Sequence, residues 1–383
     1  MAFFIAESGY EVHVVTSRLR YDEPGKLLPS EEVVNGVNVH RVWTSRFGRD
    51  HLLGRAFDYV TFCLSSGWCL LRLTRRDDTV VAKTDPPLIS VVAALVVRWR
   101  RAKLVNWVQD VFPEVAAALG VRGLGGAFGS VLRRLRDLSL RQAQTNVALS
   151  DSMASYFIER GVSRDRVRVI PNWVDDVAIV PIRRDQNPLR ELWGLAGKFV
   201  VVYSGNMGRA HEFDTILDAI ARLKRETGIV FLFIGGGNQK AYLESEAAKR
   251  GLSQVQFRPY QAREELAESL GLADVHLISL RPAAERFVVP SKFYGAAAAG
   301  RPIVFVGDPD GDLAKTVQSG NCGVVVPPKE SERLAAGLLG LRDNQSLWLE
   351  LGRNARRLID ERFSRRRAMK LWQEALTIHR PAP

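Results

Sequence analysis

The strongest constraint on the fold of this chain is a regular alternation of short apolar strands with helical segments, clearest in its C-terminal half. Strands joined by helices pair in parallel, because each connection must return to the same end of the sheet. Six apolar segments of strand length are separated by helix-like segments there: FVVVYS, IVFLFI, VQF, DVHLIS, PIVFV and GVVV. This half therefore predicts a complete doubly wound α/β domain, which binds ligands at the carboxyl ends of its strands.

The N-terminal half shows the same alternation less regularly. Apolar helices separate four strand-like stretches, at residues 11–16, 37–42, 79–83 and 103–108. Residues 176–197 lack a strand pattern and gather prolines and charges, which indicates a linker. We therefore expect two Rossmann-like domains, at residues 1–178 and 179–364, followed by a helical segment at 365–383.

Composition excludes several other classes of protein. The chain has 383 residues, 46% hydrophobic and 25% charged, which suits two globular domains and argues against disorder. Its net charge of +12 favours an anionic partner: nucleic acid, an acidic membrane or a phosphorylated substrate. The spacing of Cys63, Cys69 and Cys322 matches no metal or redox pair, so we expect a reducing compartment and no metal site. Glu7 and Glu11 interrupt any apolar signal-peptide core.

One segment of the C-terminal half combines a phosphate site with a hydroxyl acceptor. A loop carrying Glu285 leads into a helix that opens at Pro290, Ser291 and Lys292. Ser is a good N-cap and the first N–H groups of a helix are unpaired, so this helix end can bind a phosphate beside Lys292. Glu285 can accept hydrogen bonds from neighbouring hydroxyls. The arrangement suits a nucleotide sugar, although a well-capped surface helix would show the same signals.

A glycine-bearing turn, GNMGR, follows the first strand of this half. Its Gly205, Asn206 and Gly208 allow backbone N–H groups to converge on an anion, and Arg209 can bind that anion through two N–H groups. Tight turns between strand and helix favour glycine in any case, so this turn alone is weak evidence for a ligand site.

A second turn, the triglycine turn, follows the second strand. Gly235, Gly236 and Gly237 let the backbone approach a flat base, and Arg258 and Tyr260 at the next strand end form a second wall. The order of these features along the chain, GNMGR, then GGG, then the acidic loop and the PSK helix, predicts a donor site for a nucleotide sugar.

Two acidic residues of the N-terminal half, Asp85 and Asp110, follow predicted strands. The carboxyl ends of parallel strands face the ligand cleft of a doubly wound sheet, so these carboxylates are candidates for substrate contact. They also precede prolines, and Asp is common in such turns for local reasons. Both interpretations remain open from the sequence.

Parts of the N-terminal half suggest a membrane surface. Residues 59–71 are uncharged but fall short of the roughly 20 apolar residues that a membrane span needs. Residues 98–141 contain nine Lys or Arg against three acids. The helix predicted at 131–143 has one apolar side, formed by Val131, Leu132, Leu135 and Leu138. A basic amphipathic helix can lie in an anionic lipid surface, and a helix packed on its own domain shows the same pattern.

The segment ERFVVPSKFYGAAAAGRP at residues 285–302 resembles the donor-sugar motif of family 4 glycosyltransferases. Its second part is similar to a branch of bacterial O-antigen and capsule transferases, including fucosaminyltransferase-like members. AKTDPP and NWVQDVFPE resemble N-domain motifs of the same family that face the cleft. The family has a second Glu, which binds the nucleotide ribose, and Gly295 stands at that position here.

The resemblance implies the GT-B fold, with two Rossmann-like domains facing a cleft and a final helix, residues 365–378, crossing back to the N-domain. It implies that the GNMGR turn binds the donor diphosphate and that Asp85 and Asp110 lie on the acceptor side. In the family, a strand and a glycine-rich loop precede the first helix. We therefore expect the strand at residues 11–16 to lack its central partner, and Met1 to be an internal methionine of a longer protein or this form to be impaired.

We expect a retaining glycosyltransferase that moves a sugar from a nucleoside diphosphate, most simply UDP, to a polyprenyl-diphosphate-linked glycan. Glu285, Arg209 and Lys292 are its expected catalytic residues, with no metal and no other cofactor. Its expected location is the cytoplasm, peripheral on the inner face of a bacterial plasma membrane. A nucleotide-sugar 2-epimerase of the same fold is one alternative. A non-catalytic nucleotide-sugar or nucleic-acid binding protein is another, although no aromatic stacking platform accompanies the arginines.

Overall fold

The structure is a computed structural model that describes residues 1–19, 27–47, 52–121 and 123–377. It divides into two compact units, the first made of Met1–Ile170 with Met369–Pro383 and the second of Pro171–Ala368. Arg122, one of the basic residues counted above, and residue 378 at the end of the last predicted helix lie outside the described residues.

The described residues of the first unit form two sheets. Their strands are β1 (Val12–Ser17), β2 (Glu31–Val34), β3 (Val37–Val42), β4 (Thr79–Lys83), β5 (Lys103–Trp107), β6 (Thr145–Ala148) and β7 (Val167–Val169). One sheet has the order β1-β3-β2, with β1 parallel and β2 antiparallel to β3. The other has the order β4-β5-β6-β7 and is parallel throughout. Strand β2 was not predicted, because its sequence EEVV is too short to show a reliable alternation.

Strand β1 has one free edge within the described residues. It pairs with β3 on one side and with no described strand on the other, and β4 likewise pairs only with β5. The expectation that the strand near residues 11–16 would lack a central partner is therefore met in the part of the chain that the structure describes.

The helices of the first unit are α1 (Ala2–Glu7), α2 (Leu52–Leu73), α3 (Ile89–Arg100), α4 (Glu114–Ala118), α5 (Ala127–Gln142) and α6 (Asp151–Glu159). Helix α3 lies between α2 and α5. Gly67 allows the close approach of α2, because a Cβ there would lie 2.8 Å from Val92 Cγ1. On its other side α3 accepts a hydrogen bond at Ala94 O from Gln142 Nε2 (2.9 Å). None of the helices over the described ranges is long and apolar enough to cross a bilayer.

The second unit is built on one six-stranded parallel sheet. Its strands are β8 (Phe199–Ser204), β9 (Ile229–Ile234), β10 (Val255–Arg258), β11 (Val275–Ser279), β12 (Ile303–Val306) and β13 (Gly323–Val326). Their order in the sheet is β10-β9-β8-β11-β12-β13, so the direction of winding reverses between β8 and β11. All six segments predicted as strands are strands, and the doubly wound α/β prediction is confirmed. Ligands of such sheets bind where the winding reverses.

Helices cover both faces of this sheet. They are α7 (Pro188–Leu192), α8 (Asp214–Arg222), α9 (Lys240–Lys249), α10 (Leu266–Gly271), α11 (Lys292–Ala298), α12 (Asp312–Ser319), α13 (Ser331–Asp343) and α14 (Gln345–Leu358). Alternate residues of β8 enter different apolar layers: Val201 packs with α8 and α13, and Val200 packs with Leu189 and Leu195. The stretch at 176–197, which we interpreted as a linker, therefore contributes a helix and two buried leucines to the second unit.

The last described helix, α15 (Arg365–Thr377), begins in the second unit and ends in the first. Its Trp372 is fully buried, and the ring centroid lies 4.9 Å from that of Trp107 at the end of β5. Burying an indole removes a large apolar area from water, so this pair secures the end of the chain to the first unit. The predicted return of the final helix is confirmed.

Candidate functional site

The GNMGR turn and the triglycine turn interlock at the carboxyl ends of β8 and β9. Met207 N–H donates to Gly236 O (2.6 Å), and Gly205 N–H donates to Ile234 O (2.8 Å). A Cβ at Gly235 would lie 2.4 Å from Gly205 O, and Gly235 has a φ of +127° that side chains disfavour. At Gly237 a Cβ would lie 2.4 Å from the Asn206 amide oxygen. The glycines are therefore needed for the contact between the two turns.

Tyr260 forms a wall against the triglycine turn. Atoms of its ring lie 3.1 Å from the Cβ position of Gly235 and 3.4 Å from that of Gly236, and the ring is exposed. Arg258 behaves differently, because its guanidinium lies over the Trp193 ring, 5.4 Å from the centroid. The structure thus brings Tyr260 to the glycine turns as predicted, whereas the Arg258 side chain packs on an indole.

Lys292 lies beside the GNMGR turn. Its side chain passes Gly205, where Lys292 Cε would be 3.0 Å from a Cβ. The ammonium lies 5.2 Å from the centroid of the Tyr203 ring and 2.9 Å from His211 Nε2. It forms no ion pair with a carboxylate of the described residues. Burial lowers the pKa of Lys292 to about 8, because the ammonium is removed from water.

His211 is a site residue that the sequence analysis missed. It is 7% exposed, its Nδ1 lies 2.5 Å from Ser279 O, and its Nε2 contacts Lys292. Burial lowers the pKa of His211 to about 4, with the Lys292 charge as the second cause. The imidazole is therefore neutral near pH 7. In the sequence, His211 is distinguished only by its position two residues after Arg209, and this position does not indicate a particular role.

The start of helix α11 differs from the expected capped end. The Ser291 hydroxyl makes no capping hydrogen bond, and Ser291 has helical φ and ψ of −61° and −19°. Phe293 N–H donates to Pro290 O (3.2 Å), and Tyr294 N–H donates to Ser291 O (3.3 Å). The first turn of α11 is therefore tight, and two of its N–H groups are already hydrogen-bonded to carbonyl oxygens of the same turn. The prediction that Ser291 caps this helix through its side chain is wrong.

Glu285 is a buried acid beside the start of another helix. It is 8% exposed, and its Oε1 accepts a hydrogen bond from Asp312 N–H (2.8 Å) at the start of α12. Gly311 makes room for it, since a Cβ there would lie 2.3 Å from Glu285 Oε1. Its Oε2 is buried and has no hydrogen-bond partner among the described residues. Burial, then the nearby Asp312 and Asp308 charges, raise the pKa of Glu285 to about 7.

Arg209 and Asn206 are the exposed polar members of the GNMGR turn. The Tyr203 hydroxyl donates to Asn206 O (3.1 Å) and so links the turn to the buried end of β8. The Arg209 guanidinium makes no ion pair within the described residues, so it is available to an anionic ligand. Gly208 completes the turn, and a Cβ there would lie 3.0 Å from Asn206 Nδ2.

Asp85 and Asp110 lie near each other at the carboxyl ends of β4 and β5 in the first unit. Gln109 N–H donates to Thr84 Oγ1 (3.0 Å), which ties the two strand ends together. Asp110 keeps an exposed surface but is surrounded by enough protein that burial, followed by the Asp85 charge, raises its pKa to about 6. The structure thus brings these two predicted residues together.

Family comparisons agree with this architecture. A model for a glycosyl transferase 4-like domain matches residues 5–173, and a model for glycosyl transferases group 1 matches residues 185–358. The two matches cover most of the chain without overlapping. The chain belongs to the family 4 glycosyltransferases, which have the GT-B fold.

Individual relatives are distant in sequence. Over 349 residues the chain is 26% identical to the putative colanic acid biosynthesis glycosyl transferase WcaI of Escherichia coli, covering 88% of this chain and 86% of that protein. The fold is similar to sucrose-phosphate synthase from Thermosynechococcus elongatus, with a TM-score of 0.79, 17% identity and coverage of 98% and 91%. It is also similar to HepE of Anabaena in complex with UDP-glucose, with a TM-score of 0.70, 18% identity and coverage of 90% and 86%.

Because the pKa of Glu285 is raised in the folded protein, the free energy of unfolding should depend on pH. The folded state holds the proton more tightly than the unfolded state, so stability is lost as pH rises through about 7. Glu285→Gln keeps the acceptor for Asp312 N–H and removes the titration. We expect the stability of Glu285→Gln relative to the wild type to increase between pH 5 and pH 8. The increase should be on the order of 2 kcal/mol in the free energy of unfolding, measured by urea unfolding at both pH values.

The exposed Glu264→Gln variant is the matched control for this measurement. It reports the effect of removing one carboxylate charge without changing a buried group. A difference between Glu285→Gln and wild type that stays constant from pH 5 to pH 8 would contradict the prediction.

Proposed function

We propose that this protein is a retaining glycosyltransferase that moves a sugar from a UDP sugar to a polyprenyl-diphosphate-linked glycan in surface polysaccharide synthesis. The observation that carries this proposal is the partly buried Lys292 ammonium, which lies beside two interlocked glycine turns and has no carboxylate partner among the described residues. Even partial removal of a charge from water without a counter-charge costs free energy, and a diphosphate would offset that cost. The relative WcaI, which is named for colanic acid biosynthesis, supports a role in polysaccharide synthesis. The structural neighbour HepE, which is bound to UDP-glucose, supports a UDP sugar as the donor.

The leaving diphosphate is stabilised by cations in this proposal. Lys292 supplies a fixed ammonium, Arg209 an exposed guanidinium, and the glycine turns supply backbone N–H groups. With this charge in place the reaction needs no metal. The bond between the anomeric carbon and the diphosphate oxygen breaks as the acceptor oxygen bonds to the same carbon from the same face, and the acceptor proton passes to the departing diphosphate.

Glu285 orients the sugar in this proposal. Its Oε1 is held by Asp312 N–H, so the carboxyl group has a fixed direction, and its buried Oε2 is left to accept from, or donate to, a sugar hydroxyl. Asp85 and Asp110 contact the acceptor, and the raised pKa of Asp110 suits a group that exchanges a proton with a hydroxyl. A thermal-shift comparison of UDP, GDP and dTDP sugars tests the nucleotide, because a ligand of the native state raises its melting temperature.

Nucleotide affinity should depend on the charge of Lys292. The pKa of Lys292 is about 8 in the free protein and rises when a diphosphate binds, so binding above pH 8 requires proton uptake. We expect the Kd of UDP, measured by calorimetry, to rise by up to about tenfold per pH unit above pH 8. Lys292→Arg should abolish this rise, because guanidinium stays charged. Lys292→Met should weaken binding at every pH.

The control for this series is Lys315→Met, which removes an exposed ammonium on α12. It should behave as the wild type. An unchanged pH dependence in Lys292→Arg would show that another group causes it.

Turnover should depend on Glu285 more than binding does. Glu285→Gln keeps the hydrogen bond to Asp312 N–H but loses the charge, so UDP affinity should stay close to that of the wild type. We expect kcat to fall by about 100-fold, measured as UDP release with the UDP sugar that gives the largest thermal shift. Lys292→Ala should lower both kcat and affinity. Small and equal effects of both substitutions would refute these roles.

The first unit presents apolar helix faces to solvent, which supports a membrane-bound acceptor. In α5 the apolar side predicted from sequence points outward: Val131, Leu135 and Leu138 are exposed, whereas Arg136 and Asp137 are buried. Arg136 Nη2 is held 2.7 Å from Glu114 Oε1, which fixes the side of α5 that carries Arg136 inward, whereas Arg134 and Arg141 are exposed. Helix α5 therefore packs on its own domain through the side that carries Arg136 and Asp137, and the apolar side predicted from the sequence stays exposed.

Helices α2 and α3, which are neighbours of α5 in the order α2, α3, α5, also expose apolar side chains, and we call the exposed apolar residues of the three helices the three-helix face. Its members are the large exposed apolar residues of α2, α3 and α5: Phe57, Val60, Leu64, Trp68, Leu95, Trp99, Phe128, Val131, Leu135 and Leu138. Arg98 and Arg100 flank it on α3, and Arg72 lies over the Trp68 ring. Exposed apolar side chains bordered by arginines match an anionic lipid interface. We place the protein at the inner face of the plasma membrane, where its lipid-linked acceptor would lie.

The three-helix face should bind anionic vesicles. We expect the wild type to cosediment with phosphatidylglycerol vesicles more than with neutral phosphatidylcholine vesicles, and salt should weaken binding. Replacing Leu64 and Trp68 by Ser should weaken vesicle affinity by about tenfold or more, because two apolar side chains no longer enter the lipid. Replacing the exposed Leu347 and Leu349 of α14 by Ser should have no effect. Equal binding to both lipids would contradict the assignment.

A further inference from the structure

His211 is held rigidly on both sides of its ring. One ring nitrogen, Nδ1, lies 2.5 Å from Ser279 O at the end of β11, and the ring centroid lies 5.8 Å from that of the buried Tyr203 in an edge arrangement. A carbonyl oxygen can only accept, so Nδ1 carries the proton. In a neutral imidazole the other nitrogen then has a free lone pair. That nitrogen, Nε2, is the atom 2.9 Å from Lys292 Nζ.

We infer that His211 is a positioning residue that holds the Lys292 ammonium, through a neutral acceptor, in the place where it meets the donor diphosphate. This inference rests on the proposed function, since it concerns the anion that Lys292 binds. His211 is buried, whereas Lys292 is partly exposed. A ligand that reaches this pair would therefore contact Lys292. His211 therefore acts through Lys292.

The choice of a neutral acceptor has a physical reason. A carboxylate beside Lys292 would also fix the ammonium, but it would neutralise the charge and repel the incoming diphosphate. An imidazole lone pair fixes one N–H of the ammonium and leaves its net charge for the ligand. The Tyr203 ring adds a second uncharged contact, with the ammonium 5.2 Å from its centroid.

The same residues also connect the ammonium to the GNMGR turn. Tyr203 donates its hydroxyl hydrogen to Asn206 O, and Arg281 Nε donates to His211 O (3.2 Å). The strand ends β8 and β11, between which the winding of the sheet reverses, thus fix the turn and the cation relative to each other. A ligand that binds the turn finds Lys292 already in position.

A matched pair of substitutions tests the inference. His211→Gln can place an amide oxygen near the Nε2 position and so keep the acceptor for Lys292. His211→Asn can still donate to Ser279 O but is too short to reach Lys292. Both variants have polar side chains of related size, so a difference between them reports the contact to Lys292 rather than loss of a buried imidazole.

Two readouts are needed, one of them independent of nucleotide. The pKa of Lys292, followed by NMR of its labelled Cε, should stay close to the wild-type value in His211→Gln and fall in His211→Asn. The Kd of UDP should rise by about tenfold or more in His211→Asn, and much less in His211→Gln, because a hydrogen bond to a charged group is lost. In a Lys292→Met background, the two His211 variants should bind UDP equally.

Equal pKa values of Lys292 in the Gln and Asn variants would overturn the inference. So would an effect of His211→Asn on UDP affinity that persists at full size in the Lys292→Met background, since His211 would then act without Lys292. If the wild type binds no UDP, GDP or dTDP, the proposed function fails, and a lowered pKa of Lys292 in His211→Asn would still support the pairing itself.

Discussion

The donor side of the second unit depends on one close backbone contact, between Gly205 and Gly235. No Cβ fits at Gly235, because the carbonyl oxygen of Gly205 would lie 2.4 Å from it. The contact makes the turns after β8 and β9 a single structure, since Met207 N–H can then reach Gly236 O. It also leaves a flat backbone surface for the Tyr260 ring. A larger residue at Gly235 would separate the turns and move Tyr260 together with them.

Charge compensation distinguishes the partly buried Lys292 from the buried charges of Arg136 and Asp274. Arg136 contacts both Glu114 and Asp137, and Asp274, which is fully buried, contacts Arg190. Each of these groups is neutralised inside the protein, as buried ions generally must be. Lys292 has instead an imidazole and a phenol ring, neither of which carries charge near pH 7. Partial burial of Lys292 thus costs free energy that a bound anion would offset.

Features that depend on neighbouring residues in the sequence could be predicted, and features that depend on residues distant in the sequence could not. The six strands of the second unit and the two glycine turns were predictable, because apolar periodicity and glycine report local backbone geometry. The parallel pairing of these strands was implied by the alternation with helices. His211 was not predictable, since its partners Ser279 and Lys292 are distant in sequence and a single His carries no pattern. The Ser291 cap was predicted from residue type alone, whereas capping requires a non-helical backbone at that residue, and Ser291 is helical.

Helix α5 shows where pattern reasoning reaches its limit. A 3.6-residue period identifies which side of a helix is apolar, but it does not determine which side faces the domain. In α5 ion pairs determine the orientation: Arg136 contacts Glu114, Asp137 contacts Arg160, and these contacts require the side that carries Arg136 and Asp137 to face inward. The apolar side is then left outside, and the neighbouring helices α2 and α3 expose apolar side chains as well. The period of the sequence thus located the apolar side of α5, and the internal ion pairs of Arg136 and Asp137 decided its orientation.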